Sequence, residues 1–396
     1  MEIDARPDSG LSEGIMNERS SRRSYRKAAI CGLVFSLTAF GLAQQVIDNP
    51  EKPPSQQAGR VIQLKEIARV SEEPGKFFFE QPWDLFVGRD GSIYVQEPKK
   101  LYKFNADCKF VKNLLKWGEG PGELSGNLTD VLVRDSKILL YSSNIYKLLR
   151  LDFDGRLLGE TRFVAGFSRL LGYQGGRYVV MRFERKDVPR TNGIVEQDYR
   201  LAFISGDGDV VNTPQVFALT SAQFVRTIGG RPSGGVSSIS RFMPLSVDDR
   251  FVFLFHSPEY LIRVIDLEKG ALALSFRRKY ERVEFEHAVP KNMPDYPFPK
   301  YHNDLCRLLW HNGRLWAVTS TFDKNKGLLV DVFSRDGQYL DNFYLPLLKI
   351  RRNNPQYYVP MAVWGDFLYV LEPDEDDIIS LVKYEIIFSR EKENLK

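Results

Sequence analysis

The sequence predicts an all-β fold, a six-bladed β-propeller of four-stranded antiparallel blades. From Arg60 onward no window carries a long helical period. Short apolar runs alternate with turn signals in a unit that recurs six times. The last copy is one strand short, and a segment ahead of the first copy can supply it.

Composition bounds the class. At 396 residues, with 43% hydrophobic and 27% charged residues, the chain is ordinary for a globular protein of one large or two ordinary domains. Aromatics reach 13%, weighted to Phe and Tyr, and lean toward strands. The formal charge is only +4 and the basic residues are scattered, so no nucleic-acid partner is expected.

The N-terminus reads as an export signal. Arg19 to Lys27 is basic, Ala28 to Leu42 is apolar, and Gly41-Leu42-Ala43 places small residues where a signal peptidase reads. Cleavage is expected before Gln44, and a periplasmic or secreted location follows. The apolar run is shorter than the roughly 20 residues that span a bilayer, so no membrane span is expected after its removal. Cys31 starts the run rather than ends it, which argues against lipoprotein processing. Residues 1–15 are polar, and a start at Met16 would give a signal of ordinary length. Ser21 to Lys27 also resembles a twin-arginine motif; an Arg-rich Sec signal is the reading taken over it, and a retained anchor is the third. Gln44 to Gly59, with Asn49-Pro50 and Pro53-Pro54, reads as a flexible linker, and residues 389–396 as a tail.

The clearest copy runs from Gln81: Trp83 to Gly88, a turn at Asp90-Gly91, Ile93 to Gln96, Leu101 to Phe104, then Phe110 to Leu115. Asp-Gly suits a tight hairpin because glycine accepts positive φ. Later copies turn at Asp154-Gly155, Asp207-Gly208, Lys269-Gly270 and Asp336-Gly337 before their fourth strands. Spacings between these turns are uneven, about 47 to about 67 residues, looser than a strict repeat. The sixth copy stops after Ile378 to Ile387. Val61 to Val70 can be its missing strand, and closure would remove the sheet edges that promote aggregation.

The run Gln81-Pro82-Trp83-Asp84-Leu85 … Asp90-Gly91-Ser92-Ile93-Tyr94-Val95 … Leu101-Tyr102-Lys103-Phe104 resembles an NHL-type repeat. Gly118-Glu119-Gly120-Pro121-Gly122-Glu123-Leu124 is similar to the G-x-G-P-G-E-F segment that joins one blade to the next in bacterial six-bladed propellers of the NHL-like kind, with Leu124 in place of Phe. The resemblance spans about Arg60 to Phe388. It implies the fold and an exported location, and little chemistry.

Site chemistry is sparse. The glycine segment lacks the G-x-x-x-x-G-K-[ST] order of a phosphate loop and reads as an inter-blade turn. His256, His287, His302 and His311 show no metal-ligand spacing, and no G-x-S-x-G elbow occurs, so no catalytic residue is assigned. Cys108 and Cys306 are read as two small buried side chains ahead of a disulfide. Glu372 to Asp377, EPDEDD, reads as a solvated acidic hairpin ahead of a calcium loop. The residue just past each second strand is Glu97, Ser142, Arg182, Phe255, Thr319 and Glu372 in turn. Glu97, Arg182 and Glu372 are therefore the candidate binding residues of one funnel face. Gly229-Gly230 and Gly234-Gly235 read as a surface insertion. The aromatic connection Glu286 to Asn303 offers a grip for a peptide or glycan, or a cover for the core.

Two functional readings follow. The first is a monomeric, non-enzymatic binding or interaction module for a protein, peptide or glycan, with no cofactor. The second is a lactonase-like hydrolase or lyase with a divalent cation such as calcium at the ring centre, which needs inward acids from several blades. Ser142, Phe255 and Thr319 at the matching positions favour the first. The export reading has a direct check. N-terminal sequencing of the exported protein should begin at Gln44, and recovery from the cytoplasm with residues 16–43 intact would contradict it.

Overall fold

The middle strands of the repeats are apolar on both faces, and that pattern dictates how the blades assemble. The computed structural model describes residues 46–134, 137–164, 166–184, 193–212, 219–225, 227–228, 231–232, 237–238, 243–246, 250–255, 259–285, 299–350 and 358–388. Among these no helix occurs, and the strands form the six blades of a β-propeller.

Blade 1 is Asp84–Val87, Ile93–Glu97, Lys100–Phe104 and Phe110–Asn113, each antiparallel to the next. Blade 2 is Asp130–Arg134, Lys137–Ser142, Lys147–Leu151 and Leu157–Arg162. Blade 3 is Arg169–Gln174, Arg177–Glu184, Gly193–Ser205 and Val210–Asn212. Blades 4 and 5 start at Met243–Ser246 and Leu305–His311 and end at Ala271–Arg278 and Tyr339–Leu345. Blade 6 is Met361–Trp364, Phe367–Pro373 and Ile379–Ile387.

Strand side chains alternate between two faces, and here each face meets a different neighbour. Ile138 and Leu140 pack against Tyr94 and Leu101 of blade 1. Leu139 and Tyr141, one residue along, pack against Tyr178 and Val180 of blade 3. The same division makes apolar seams between blades 3 and 4, 4 and 5, and 5 and 6. The sixth seam joins Tyr369 and Leu371 of blade 6 to Leu85, Ile93 and Val95 of blade 1. The core is therefore a closed ring of inter-blade layers. The Asp-Gly turns fit the same seams: Gly337 sits at φ +78°, and a Cβ there would lie 2.6 Å from the Phe276 ring of blade 4.

The ring closes as the sequence predicts. Gln63–Val70 pairs antiparallel with Ile379–Ile387 and completes blade 6. Arg69 reaches from the closing strand to Glu372, 3.0 Å away, whose carboxylate also accepts from the Tyr384 hydroxyl. At the far end of the same seam the Trp364 ring lies over Gly91, where a Cβ would meet it at 2.9 Å and φ is +77°.

One expectation needs correction, and two gain detail. The segment 44–59 is not a free linker: from Val46 it is an arm bound to the ring. Val46–Asn49 adds a parallel fifth strand to the outer edge of blade 4, and Arg60–Val61 adds one to blade 5. Asn49 explains the attachment. Its amide donates to Arg277 O at 3.1 Å and Gly337 O at 2.9 Å, and its oxygen accepts from Tyr339 N at 2.9 Å. One side chain thus bridges blades 4 and 5. The closing strand accordingly begins at Gln63 rather than Val61. The blades are also not uniformly four-stranded, since blade 3 gains Leu219–Val225 alongside the first half of its long third strand. Cys108 and Cys306 form no disulfide and are buried in different seams.

The arm and the closing strand should separate in a truncation series. Removal of 46–59 alone exposes the outer edge of blade 4 and costs the Asn49 bonds, at about 1 kcal/mol each, so the protein should melt a few degrees lower and stay soluble. Removal of 46–70 opens blade 6 and should give aggregation. Equal thermal melts for both truncations and the parent would contradict the closure.

Candidate functional site

The innermost strands of all six blades line a central cavity of about 590 Å3. Their first residues converge at one mouth, and that is where the charge lies. Asp84, Asp130, Arg169 and Arg307 open or nearly open four of these strands. Farther along, Val87, Val133, Leu245, Trp310 and Val363 make the walls apolar.

The four charges form two pairs. Arg307 of blade 5 stands 3.1 Å from Asp84 of blade 1. It also donates through Nε to Met361 O of blade 6 at 2.9 Å and through Nη2 to Leu85 O at 3.3 Å. The Tyr358 hydroxyl bonds both partners. Burial lowers the Arg307 pKa and Asp84 opposes the fall, so the pair carries the charge that the guanidinium keeps. Arg169 of blade 3 meets Asp130 of blade 2 at 2.5 Å, and Leu170 N donates to the second Asp130 oxygen at 3.0 Å. Burial alone would lower the Arg169 pKa; Asp130 outweighs it and the net direction is up. Each carboxylate thus faces a guanidinium, and the mouth carries no uncompensated carboxylate pair.

A second, uncharged array occupies the blade 1–blade 2 sector. Gln96 accepts at its backbone oxygen from Trp83 N, 3.0 Å, and its amide donates to Leu128 O, 2.9 Å. Thr129 follows, with its hydroxyl 2.9 Å from Ser143 Oγ and its oxygen accepting from Ser143 N. These bonds fix two short segments that put Asn127 and Asn144, both exposed, on the cavity beside Trp83. The second segment ends at Tyr146, whose φ of +51° is rare for a bulky residue. Its ring lies on Gly166, where a Cβ would meet it at 2.2 Å.

The candidate residues Glu97, Arg182 and Glu372 sit at the hairpin end of their blades, on the rim that carries this mouth. None of them lines the cavity. Glu97 is buried and turned to its own blade, accepting from Glu80 N at 2.7 Å and Gln81 N at 3.1 Å. Burial raises its pKa against those two donors and Lys100. Glu372 belongs to the closing clamp with Arg69. Arg182 is half-buried opposite Arg200. The sequence pattern missed Asp84, Asp130, Arg169 and Arg307 because the copies were aligned at the end of the second strand. In blade 1 the Asp84 register partner is Gln96, one residue short of Glu97. Aligning the starts of the first strands would have found the charged ring.

The glycine segment is a turn between blades 1 and 2 that wraps one carboxylate. Glu123 Oε2 accepts from Gly120 N at 3.0 Å, and a Cβ at Gly118 would fall 2.1 Å from the same oxygen. Lys147 is buried beneath it, donating to Gly120 O and Glu123 O and pairing with Glu160 at 2.9 Å. Glu372 to Asp377 is a tight acidic hairpin in which Asp374 accepts from Asp376 N and Ile378 N. Among the described residues no three His, Cys, Asp or Glu side chains are arranged to hold a metal ion. Most of the aromatic connection 286–303, including Tyr296 to Phe298, and the glycines at 229–230 and 234–235 lie outside the described residues.

No protein-family model matches the chain, and no curated protein is similar to it. Solved structures are. A Bacteroides fragilis protein inferred to be exported aligns with a TM-score of 0.55 at 12% identity, over 87% of this chain and 100% of that one. A DUF4221 family member from Bacteroides vulgatus aligns at 0.47 and 12% identity, over 83% and 98%. The Neurospora crassa Pan2 WD40 domain aligns at 0.40 and 12% identity, over 81% and 95%. At these identities the likeness is one of fold.

Asp304 yields a pH prediction. It precedes the inner strand of blade 5, accepts from Tyr260 N and Arg282 Nε, and is pushed up by burial to about 6 despite both. A carboxyl raised in the folded state favours folding while protonated. Its contribution is full below the unfolded value near 4 and is lost as pH rises through 6. The loss is at most about 3 kcal/mol, at about 1.4 kcal/mol per pH unit. Thermal melts of the parent should fall between pH 4 and 6.5 by more than those of Asp304→Asn; parallel curves would refute the assignment.

Proposed function

We propose that this chain is an exported propeller of the NHL-like kind that acts as a binding module, taking a small ligand at the mouth of its central cavity. One observation carries the reading: all six blades contribute to a single cavity with a polar mouth over apolar walls. Pockets of a few hundred Å3 with few, fixed polar groups are the usual form of small-molecule sites. The glycine segment and its place between blades 1 and 2 agree with the NHL-like assignment. The signal-like N-terminus and the fold shared with an exported Bacteroides fragilis candidate agree with the location.

The hydrolase or lyase reading has less support. A cation held at the ring centre needs oxygen ligands from several blades. The two inner-strand carboxylates, Asp84 and Asp130, are already committed to Arg307 and Arg169.

Filling the cavity tests the proposal. Leu245 of blade 4 lines the wall across the ring from Trp83 of blade 1. Leu245→Trp narrows the cavity there without touching the mouth array. In a thermal-shift screen of polar metabolites and short oligosaccharides, compounds that raise the melting temperature of the parent should fail to raise that of the variant. Hits that stabilise both equally would place binding elsewhere.

A further inference from the structure

We infer that the ligand of this mouth is a neutral saccharide, with Trp83 as the stacking platform and Asn127, Thr129 and Asn144 as the hydroxyl-reading edge. The inference rests on the proposed use of the cavity as a binding site and names the chemistry it selects.

Charge comes first. Both carboxylates and both guanidiniums of the mouth are spent on one another, at 3.1 Å for Asp84–Arg307 and 2.5 Å for Asp130–Arg169. A charged ligand has to compete with an existing partner, and breaking even a half-buried pair leaves a charge uncompensated. A neutral ligand leaves both pairs in place. The mouth therefore discriminates by dipoles and shape.

The uncharged sector supplies both. Trp83 is 37% exposed at the cavity edge, high for tryptophan. Its flat apolar face with a polar edge matches the alternation of C–H faces and O–H rims on a pyranose ring, and aromatic anchors of this kind dominate binding energy. Asparagine amides offer donors and acceptors together, as hydroxyl groups require. The backbone segments that carry the two asparagines are held in place before any ligand arrives, through the Gln96, Thr129 and Ser143 bonds and the strained Tyr146 turn seated on Gly166. Such preorganisation cuts the entropy cost of binding. The remaining cavity is apolar and suits no second charged group.

The test is a printed panel of neutral oligosaccharides built from glucose, galactose, mannose and N-acetylglucosamine, beside uronate-, sulfate- and sialate-bearing ones, probed with the mature protein. Affinities follow by calorimetry for the parent, Trp83→Ala, Asn144→Ala and Leu245→Trp, with thermal melts to verify folding. The expected result is binding to neutral glycans, weakened roughly tenfold or more by Trp83→Ala, less by Asn144→Ala, and lost in Leu245→Trp. Preference for the charged glycans, lost in Leu245→Trp, overturns the neutral-ligand inference and leaves the cavity reading standing. Neutral-glycan binding that survives Trp83→Ala and Leu245→Trp overturns both. No glycan bound at all overturns the saccharide inference, and the thermal-shift screen then decides the cavity separately.

Discussion

A blade of this protein cannot bury itself. Each sheet is apolar on both faces, so each needs a neighbour on either side, and a linear row would leave Leu85, Ile93 and Val95 bare at one end and Tyr369 and Leu371 bare at the other. The pairing of Gln63–Val70 with Ile379–Ile387 joins those ends, and the rest of the structure depends on it. Three side-chain contacts act at different radii of the same closure. Arg69 holds Glu372 near the outer edge. Arg307 joins blades 5, 6 and 1 at the hub. Trp364 covers Gly91 on the opposite rim.

The hub shows how one set of residues serves both fold and site. Arginine at the start of an inner strand has to be neutralised, because the cavity walls are apolar and burial of a lone charge is prohibitive. Pairing across blades solves this and adds cross-links where the strands converge. The same pairing removes net charge from the mouth, so selection passes to the uncharged sector between blades 1 and 2. That sector is built on one inter-blade connection and one hairpin, both fixed by hydrogen bonds to strands, which places recognition groups more precisely than free loops would.

Much of the fold was legible because its determinants are local and periodic. The turns at Asp90-Gly91 and Asp336-Gly337, the alternation within each strand, and the count of strands in the last copy led to the ring and its closure. The arm was not legible. Asn49-Pro50 and Pro53-Pro54 carry the composition of a linker, and nothing nearby in sequence reveals that Asn49 bonds Gly337 and Tyr339, 288 and 290 residues away. The direction of the funnel residues was hidden for a related reason. Equivalent positions do share a rim, but whether a side chain there turns to the hub depends on its partners. Glu97 found the backbone of Glu80 and Gln81, and Glu372 found Arg69. The inward positions belonged to the first strand, whose starts carry Asp84 and Asp130.

The closing strand also sets the order in which the molecule can be completed. Lys65 and Glu385 meet across 320 residues, a separation that adds little to loop-closure entropy, which grows only with the logarithm of length, but that slows folding. The closing strand has no partner until Ile379–Ile387 is made. Blades 1 to 5 can stack as each is finished, while the closing strand waits with its edges bare. A chain cut short before Ile387 keeps an unpaired N-terminal strand and an incomplete sixth blade together. Closure is thus the last folding event available to the chain, and a natural point at which an unfinished copy differs from a finished one.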